Sequence, residues 1–195
     1  MNDEAKNGNA RLSSIATLRG RAWQHIENGA VTETYAADRA TVLRLLNEAL
    51  ATELVCTLRY RRHYFMANGV QAEAVKEEFR THAAEELEHA DRIAARIVQL
   101  DGEPNFDPRG LAERSHAEYV AATSLNDMIR EDLVAERVAI DSYKEMVDYV
   151  GAQDPTTRFL LEEILAKEEE HAEDLSSMLN AVAPTGHVVR PAREM

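Results

Sequence analysis

Cysteine is nearly absent from this 195-residue chain, where Cys56 stands alone. A disulfide within the chain is excluded, and the usage fits a reducing compartment. Cys56 lies on an apolar stripe, which favours a buried structural thiol over a reactive one. Prolines number five and glycines eight, too few for a fold built of many turns. Long stretches rich in Ala, Glu, Leu and Arg run without a breaker and point to an all-α protein. No apolar run is long enough for a membrane span, and the polar, acidic residues Met1 to Ala10 do not read as a signal peptide. Basic residues are also scarce, with 22 Lys and Arg against 35 Asp and Glu and a formal net charge of −13. That balance lacks the basic footprint demanded by nucleic-acid phosphates and suits the attraction of cations. The expectation is a cytoplasmic protein with no nucleic-acid or membrane partner. What is present, 45% hydrophobic and 29% charged residues, is enough for one domain with a sizeable core.

Four helical periodicities separate at turn signals. The first runs from about Asp38, a plausible N-cap, to Ala67 and stops at Asn68-Gly69. The second covers about Gln71 to Leu100 and ends at Asp101-Gly102, with Pro104 beyond. The third begins near Ser115 or Ser124 and reaches Val150, with Gly151 as the residue after the helix. Asp154-Pro155 supplies an N-cap and a first-turn proline for the fourth, which continues to about Asn180. Short links make antiparallel hairpins of helices one and two and of helices three and four, and the connection from about Asp101 to Thr123 is a long crossover. Residues 1–37 form an N-terminal extension in which Leu12, Ile15, Ala16, Ala22, Trp23 and Ile26 mark a short amphipathic helix whose apolar face should dock somewhere. Residues 181–195, with Pro184, Gly186 and Pro191, read as an irregular tail.

The chemistry lies in a pattern that occurs twice. Glu53 is followed 33 residues later by Glu86-Leu87-Glu88-His89, and Glu136 is followed 32 residues later by Glu168-Glu169-Glu170-His171. Glu and His three apart on a helix share one face, because three residues advance about 300°. Each candidate interrupts an apolar stripe: Val42, Leu46, Ala49, Glu53, Cys56, Tyr60 on the first helix and Leu125, Ile129, Leu133, Glu136, Ile140, Tyr143 on the third. The second and fourth stripes run Val75, Phe79, Ala83, Glu86, His89, Ile93 and Leu161, Ile164, Leu165, Glu168, His171, Leu175. A single Glu-x-x-His arises by chance in many acidic helices, and runs such as Glu85-Glu86 are usually solvated. The repeat in register, each lone glutamate trailed by a tyrosine seven residues on, is a different matter. Buried carboxylates need partners, and four of them converging on two divalent cations would supply each other's partners.

One Glu from each of two helices plus Glu-x-x-His from each of the other two is the known ligand set of di-iron and di-manganese centres in ferritin-like four-helix bundles. Over residues 40 to 180 the chain resembles the bacterioferritin branch of that superfamily, on Glu53, Tyr60, Glu86-Leu87-Glu88-His89-Ala90-Asp91-Arg92, Glu136 and Glu168-Glu169-Glu170-His171. The resemblance implies a ferritin-like bundle with one long crossover. It also implies two Fe ions per chain, with Mn or Zn possible, Glu86 and Glu168 bridging, Glu53 and His89 completing one site, and Glu136 and His171 the other. Dps proteins build their iron site between subunits, whereas all six ligands here lie in one chain. Leu87 stands where bacterioferritins carry the haem-ligand methionine, so no haem is expected. The proline-containing tail replaces their fifth helix, which favours a homo-oligomeric cage of twelve subunits over one of twenty-four.

The implied activity is that of a ferroxidase, oxidising Fe(II) with O2 or H2O2 for iron storage and detoxification. Tyr60 is the candidate catalytic residue beside the metals, bonding a ligand carboxylate or supplying an electron, and Tyr143 is its counterpart. Asp132 and His82, one turn before Glu136 and Glu86, are candidates for supporting the ligands or for metal entry. The alternative is a non-storing di-iron or di-manganese oxidoreductase such as a rubrerythrin-like peroxidase, weakened by the lack of a Cys-x-x-Cys pair. A structural bundle holding redox-inert zinc is the non-enzymatic reading.

Overall fold

The computed structural model describes residues 12–69 and 72–182 and is all-helical there. The first eleven residues and the expected tail from residue 183 onward lie outside the described residues. The chain divides into two compact units after Tyr35. In the first, α1 (Ile15–Ala22) is capped by Ser14, whose hydroxyl accepts from Thr17 N at 3.2 Å, and a 3-10 turn follows at Ile26–Asn28. Its apolar side chains are exposed, Leu12 and Trp23 by 97% and 80%.

The second unit carries four long helices, α2 (Arg39–Met66), α3 (Ala72–Gln99), α5 (Leu125–Val150) and α6 (Pro155–Val182), with a one-turn α4 (Leu111–Arg114) in the crossover. Their ends follow the local chemistry. Asp38 caps α2 through Thr41, and Ser124, not Ser115, caps α5 through Asp127 N at 3.1 Å. Asp154 accepts from Thr157 N at 2.9 Å, so Pro155 sits where no backbone N–H is needed. The last helix runs two residues into the segment expected to be irregular. At the end of α3, Asp101 adopts a left-handed φ of 57° and Gly102 N returns to Ile97 O at 2.9 Å, a Schellman closure. A Cβ at Gly102 would meet Leu43 Cδ2, so a larger residue there would have to displace that side chain.

Side-chain pairs fix the directions. Residues 53, 60 and 63 of α2 meet 143, 136 and 132 of α5, so these helices are antiparallel. Residues 85, 89, 92 and 96 of α3 meet 171, 168, 163 and 157 of α6, again antiparallel. The crossover is laced along α2: Asn47 bonds Glu103 O and Asn105 N, Thr52 accepts from His116 N, Arg59 donates to Glu118 O and Arg62 to Ala122 O. Apolar layers fill the bundle, with Tyr60, Val75, Phe79, Met128, Ile129 and Leu175 packed in one cluster. The expected ligands fall near the midpoint of each long helix, with this apolar packing beside them.

Candidate metal centre

All six side chains of the repeated pattern are buried, none exposed by more than 4%. They converge in two overlapping groups, each with its donor atoms within 4.8 Å of one another: Glu53, Glu86, His89 and Glu168, then Glu86, Glu136, Glu168 and His171. Glu86 and Glu168 belong to both groups. Each group takes its helix-face pair from one hairpin and a further carboxylate from the other.

Both imidazoles turn Nδ1 inward. His89 Nδ1 lies 2.9 Å from Glu168, 3.3 Å from Glu53 and 3.5 Å from Glu86. His171 Nδ1 lies 3.6 Å from Glu86 and from Glu168. The outer nitrogen of His171 is held by Glu85 at 2.7 Å, which fixes the ring's orientation. Glu85 looks like an ordinary solvated glutamate in the sequence, and only the packing of α3 against α6 shows its role.

The electrostatics follow from four carboxylates and two imidazoles buried together. Burial, then the Glu86 charge, raises Glu53 to about 8. Burial and the carboxylates of Glu86 and Glu168 push Glu136 well above the usual range. Burial also opposes the charged forms of Glu86 and Glu168, but the contacts from His171 and His89 outweigh it and leave both lowered. Those same contacts overcome burial at the imidazoles, raising His89 to about 12 and His171 to about 10. Protons thus take up the negative charge that cations would otherwise balance. Even so, Glu86 Oε1, Glu136 Oε2, both Glu168 oxygens and His171 Nδ1 are buried without a hydrogen-bond partner. So many orphaned polar atoms in one place are rare in folded proteins. Four carboxylates and two imidazoles are hard-to-borderline donors that fit two Fe(II), Mn(II) or Zn(II) ions.

Two tyrosines frame the centre crosswise. Tyr60 on α2 donates to Glu136 on α5, and Tyr143 on α5 donates to Glu53 on α2. Each tyrosine therefore serves the lone glutamate of the opposite hairpin, not the one seven residues before it. Both phenols are pushed well above their ordinary range by burial and by the carboxylate each one bonds, so they remain protonated donors.

Asp132 is not at the metal entry. It is fully buried and taken up by Arg59 Nε at 2.7 Å and His63 Nδ1 at 2.8 Å, in a network that joins α2 to α5 one turn away. Arg59 and His63 do not stand out in the sequence pattern. The available signal is a basic residue at 59 on a stretch otherwise committed to the core. Cys56 is buried against Ala117 and Ala135 with its thiol pushed up by burial, consistent with a structural role. His82 is also buried, and its ring stacks on His171 at 4.0 Å between centroids.

Known proteins share sequence and fold with this chain. Residues 43–183 match the ferritin-like domain. The bacterioferritin of Mycobacterium avium is 33% identical over 146 residues, covering 74% of this chain and 87% of that protein. The bacterioferritin of Mycobacterium tuberculosis is 31% identical over 153 residues, covering 78% and 92%. Among solved structures, the bacterioferritin-related protein from Bacteroides fragilis, described as a dodecameric thioferritin, superposes with a TM-score of 0.73 at 33% identity, over 76% of this chain and 89% of that one. Dps from Thermosynechococcus elongatus has a TM-score of 0.70 at 19% identity, over 74% and 96%, a likeness of fold alone. With a domain match across most of its length and bacterioferritins among its relatives, the chain belongs to the ferritin-like family.

Proposed function

We propose that this protein is an iron-storing ferroxidase of the bacterioferritin type, taking Fe(II) as substrate at a two-ion centre within each chain. The observation that carries this reading is the set of buried, unpartnered carboxylate and imidazole atoms shared between two overlapping ligand groups. Glu86 and Glu168, which belong to both groups, would serve both ions, with Glu53 and His89 completing one position and Glu136 and His171 the other. The centre's chemistry is one-electron loss from each Fe(II) to O2 or H2O2.

The chain's own groups set the conditions for that step. Glu85 orients His171, and the crossed Tyr60 and Tyr143 hydrogen bonds hold the two lone glutamates in place. Tyr60 acts here as the residue next to the reacting ions. The surrounding apolar layers exclude bulk water and strengthen each electrostatic contact. No methionine flanks the centre where a haem ligand would stand, since Leu87 occupies that position.

The product would be retained in a homo-oligomeric cage, with twelve subunits favoured. Apolar side chains left on the outside of the bundle, among them Leu58, Phe65, Val98 and Phe159 at 52% to 70% exposure, supply surface for such contacts. The dodecameric assembly named for the Bacteroides fragilis relative supports the count.

Aerobic loading with excess Fe(II), followed by size-exclusion chromatography and iron analysis, tests the proposal. Tens of irons per chain co-eluting with a large assembly are expected. Saturation near about two per chain would overturn storage and leave a non-mineralising di-iron enzyme. Glu86→Ala is the control, and oxidation at the wild-type rate in that variant would remove the centre from the mechanism.

A further inference from the structure

His82 lies one helical turn before Glu86, and its side chain is 1% exposed. Its two ring nitrogens have different surroundings. Nδ1 is 3.3 Å from the Tyr60 hydroxyl, whose own proton is directed at Glu136. Nδ1 is therefore engaged by the Tyr60 hydroxyl, and Nε2 is the nitrogen on the other side of the ring. It faces two carboxylates, Asp174 Oδ2 at 3.8 Å and Glu78 Oε2 at 3.9 Å, beyond hydrogen-bond distance.

An imidazole nitrogen and two carboxylate oxygens turned toward one space are a donor set suited to a divalent cation. We propose that His82, Glu78 and Asp174 form a third divalent-cation site, outside the di-metal centre and one turn from it. Their donor atoms all lie within 4.8 Å of one another, close enough for a single ion. One nitrogen and carboxylate oxygens suit Fe(II), Zn(II) or Mn(II) rather than a thiolate-seeking metal.

The two carboxylates are 46% and 58% exposed while the imidazole is buried, so an ion reaches this site from solvent and stops against the His82 ring. That ring stacks on His171, an expected ligand of the inner centre. The outer site is thus a holding position for Fe(II) on the α3–α6 face, next to the site of oxidation. This role rests on the iron reading above, but occupancy of the site by a cation does not.

The test is calorimetric titration of zinc into the metal-free, assembled protein, with anomalous diffraction from zinc-soaked crystals, for wild type, E78Q/D174N and H82Q. Glutamine at 82 can still donate to Tyr60, and the two carboxylates are on the surface, so all three proteins should fold. Wild type is expected to bind one zinc per chain more than either variant, with an anomalous peak between the three side chains. Equal stoichiometry in all three, with zinc in the inner centre only, would overturn the third site and leave the di-metal reading intact. Zinc at the outer site with none in the inner centre would support this inference and overturn that reading instead.

Discussion

Glutamine at positions 53 and 136 keeps the shape of a neutral carboxyl group and removes its capacity to become an anion. Burial and neighbouring negative charge raise Glu53 to about 8 and Glu136 well above its usual range, which favours the neutral form of both in the metal-free protein. The double variant E53Q/E136Q should therefore lie within about 1 kcal/mol of wild type without metal, the ordinary range for a non-disruptive change. With metal the two proteins should separate. An ion that binds only the folded chain stabilises it by about 2.7 kcal/mol at a hundred times its dissociation constant. Two such ions give about 5 kcal/mol. In a chain of this length each kcal/mol moves the midpoint by about 2–4 °C. Zinc should then raise the wild-type Tm by roughly 10–20 °C more than it raises that of the variant. Differential scanning calorimetry with and without zinc, which cannot turn over, makes the comparison. A full zinc shift in the variant would remove both glutamates from the ligand set. A metal-free midpoint more than about 10 °C below wild type would show that these carboxylates are ionised and paired, against the neutral forms that burial and neighbouring negative charge impose on them.

Tyr60→Phe strips Glu136 of a donor worth about 1.5–3 kcal/mol when the acceptor is charged. Stopped-flow absorbance should show slower Fe(II) oxidation with zinc binding retained, and loss of binding would contradict the assigned role. Metal binding must also displace protons, because Glu53 at about 8, His171 at about 10 and His89 at about 12 all hold them at neutral pH. Zinc affinity should consequently rise between about pH 6 and 8, with net proton release seen by calorimetry in buffers of different ionisation enthalpy; a flat profile would refute this. Asp132→Ala strands the buried Arg59 and should cost about 3–5 kcal/mol in urea unfolding, whereas a change within about 0.5 kcal/mol would mean that Arg59 finds another partner.

The long helices and the convergence of the six candidate ligands are legible in the sequence because period and punctuation agree. Asp38, Gly151 and Asp154-Pro155 sit where a helix end needs them, and each candidate ligand glutamate takes the place of an apolar residue on a buried face. The crossover's length is readable as well, but not its attachment, since Asn47, Thr52, Arg59 and Arg62 bond groups 56 to 64 residues away. The tyrosine hydrogen bonds illustrate the limit. Spacing along one helix ties Tyr60 to Glu53, whereas the antiparallel packing of α2 on α5 delivers it to Glu136. Asp132 misleads for the same reason: its place on α5 is as the pattern has it, and its partner Arg59 lies on another helix. Register between helices decides such pairings, and no single-helix pattern contains it.

Neither ligand group is complete on one hairpin. The first needs Glu168 from α6, and the second needs Glu86 from α3. An ion in this centre is therefore a clasp across the seam between two halves of the bundle, and its binding energy is also docking energy. The α2–α3 half with a second copy of itself would present the same donors as the natural pair, so the chain amounts to a fused dimer of one hairpin design. Separating the halves exposes the metal, and losing the metal loosens the halves, so resistance to proteolysis along that seam should follow metal content.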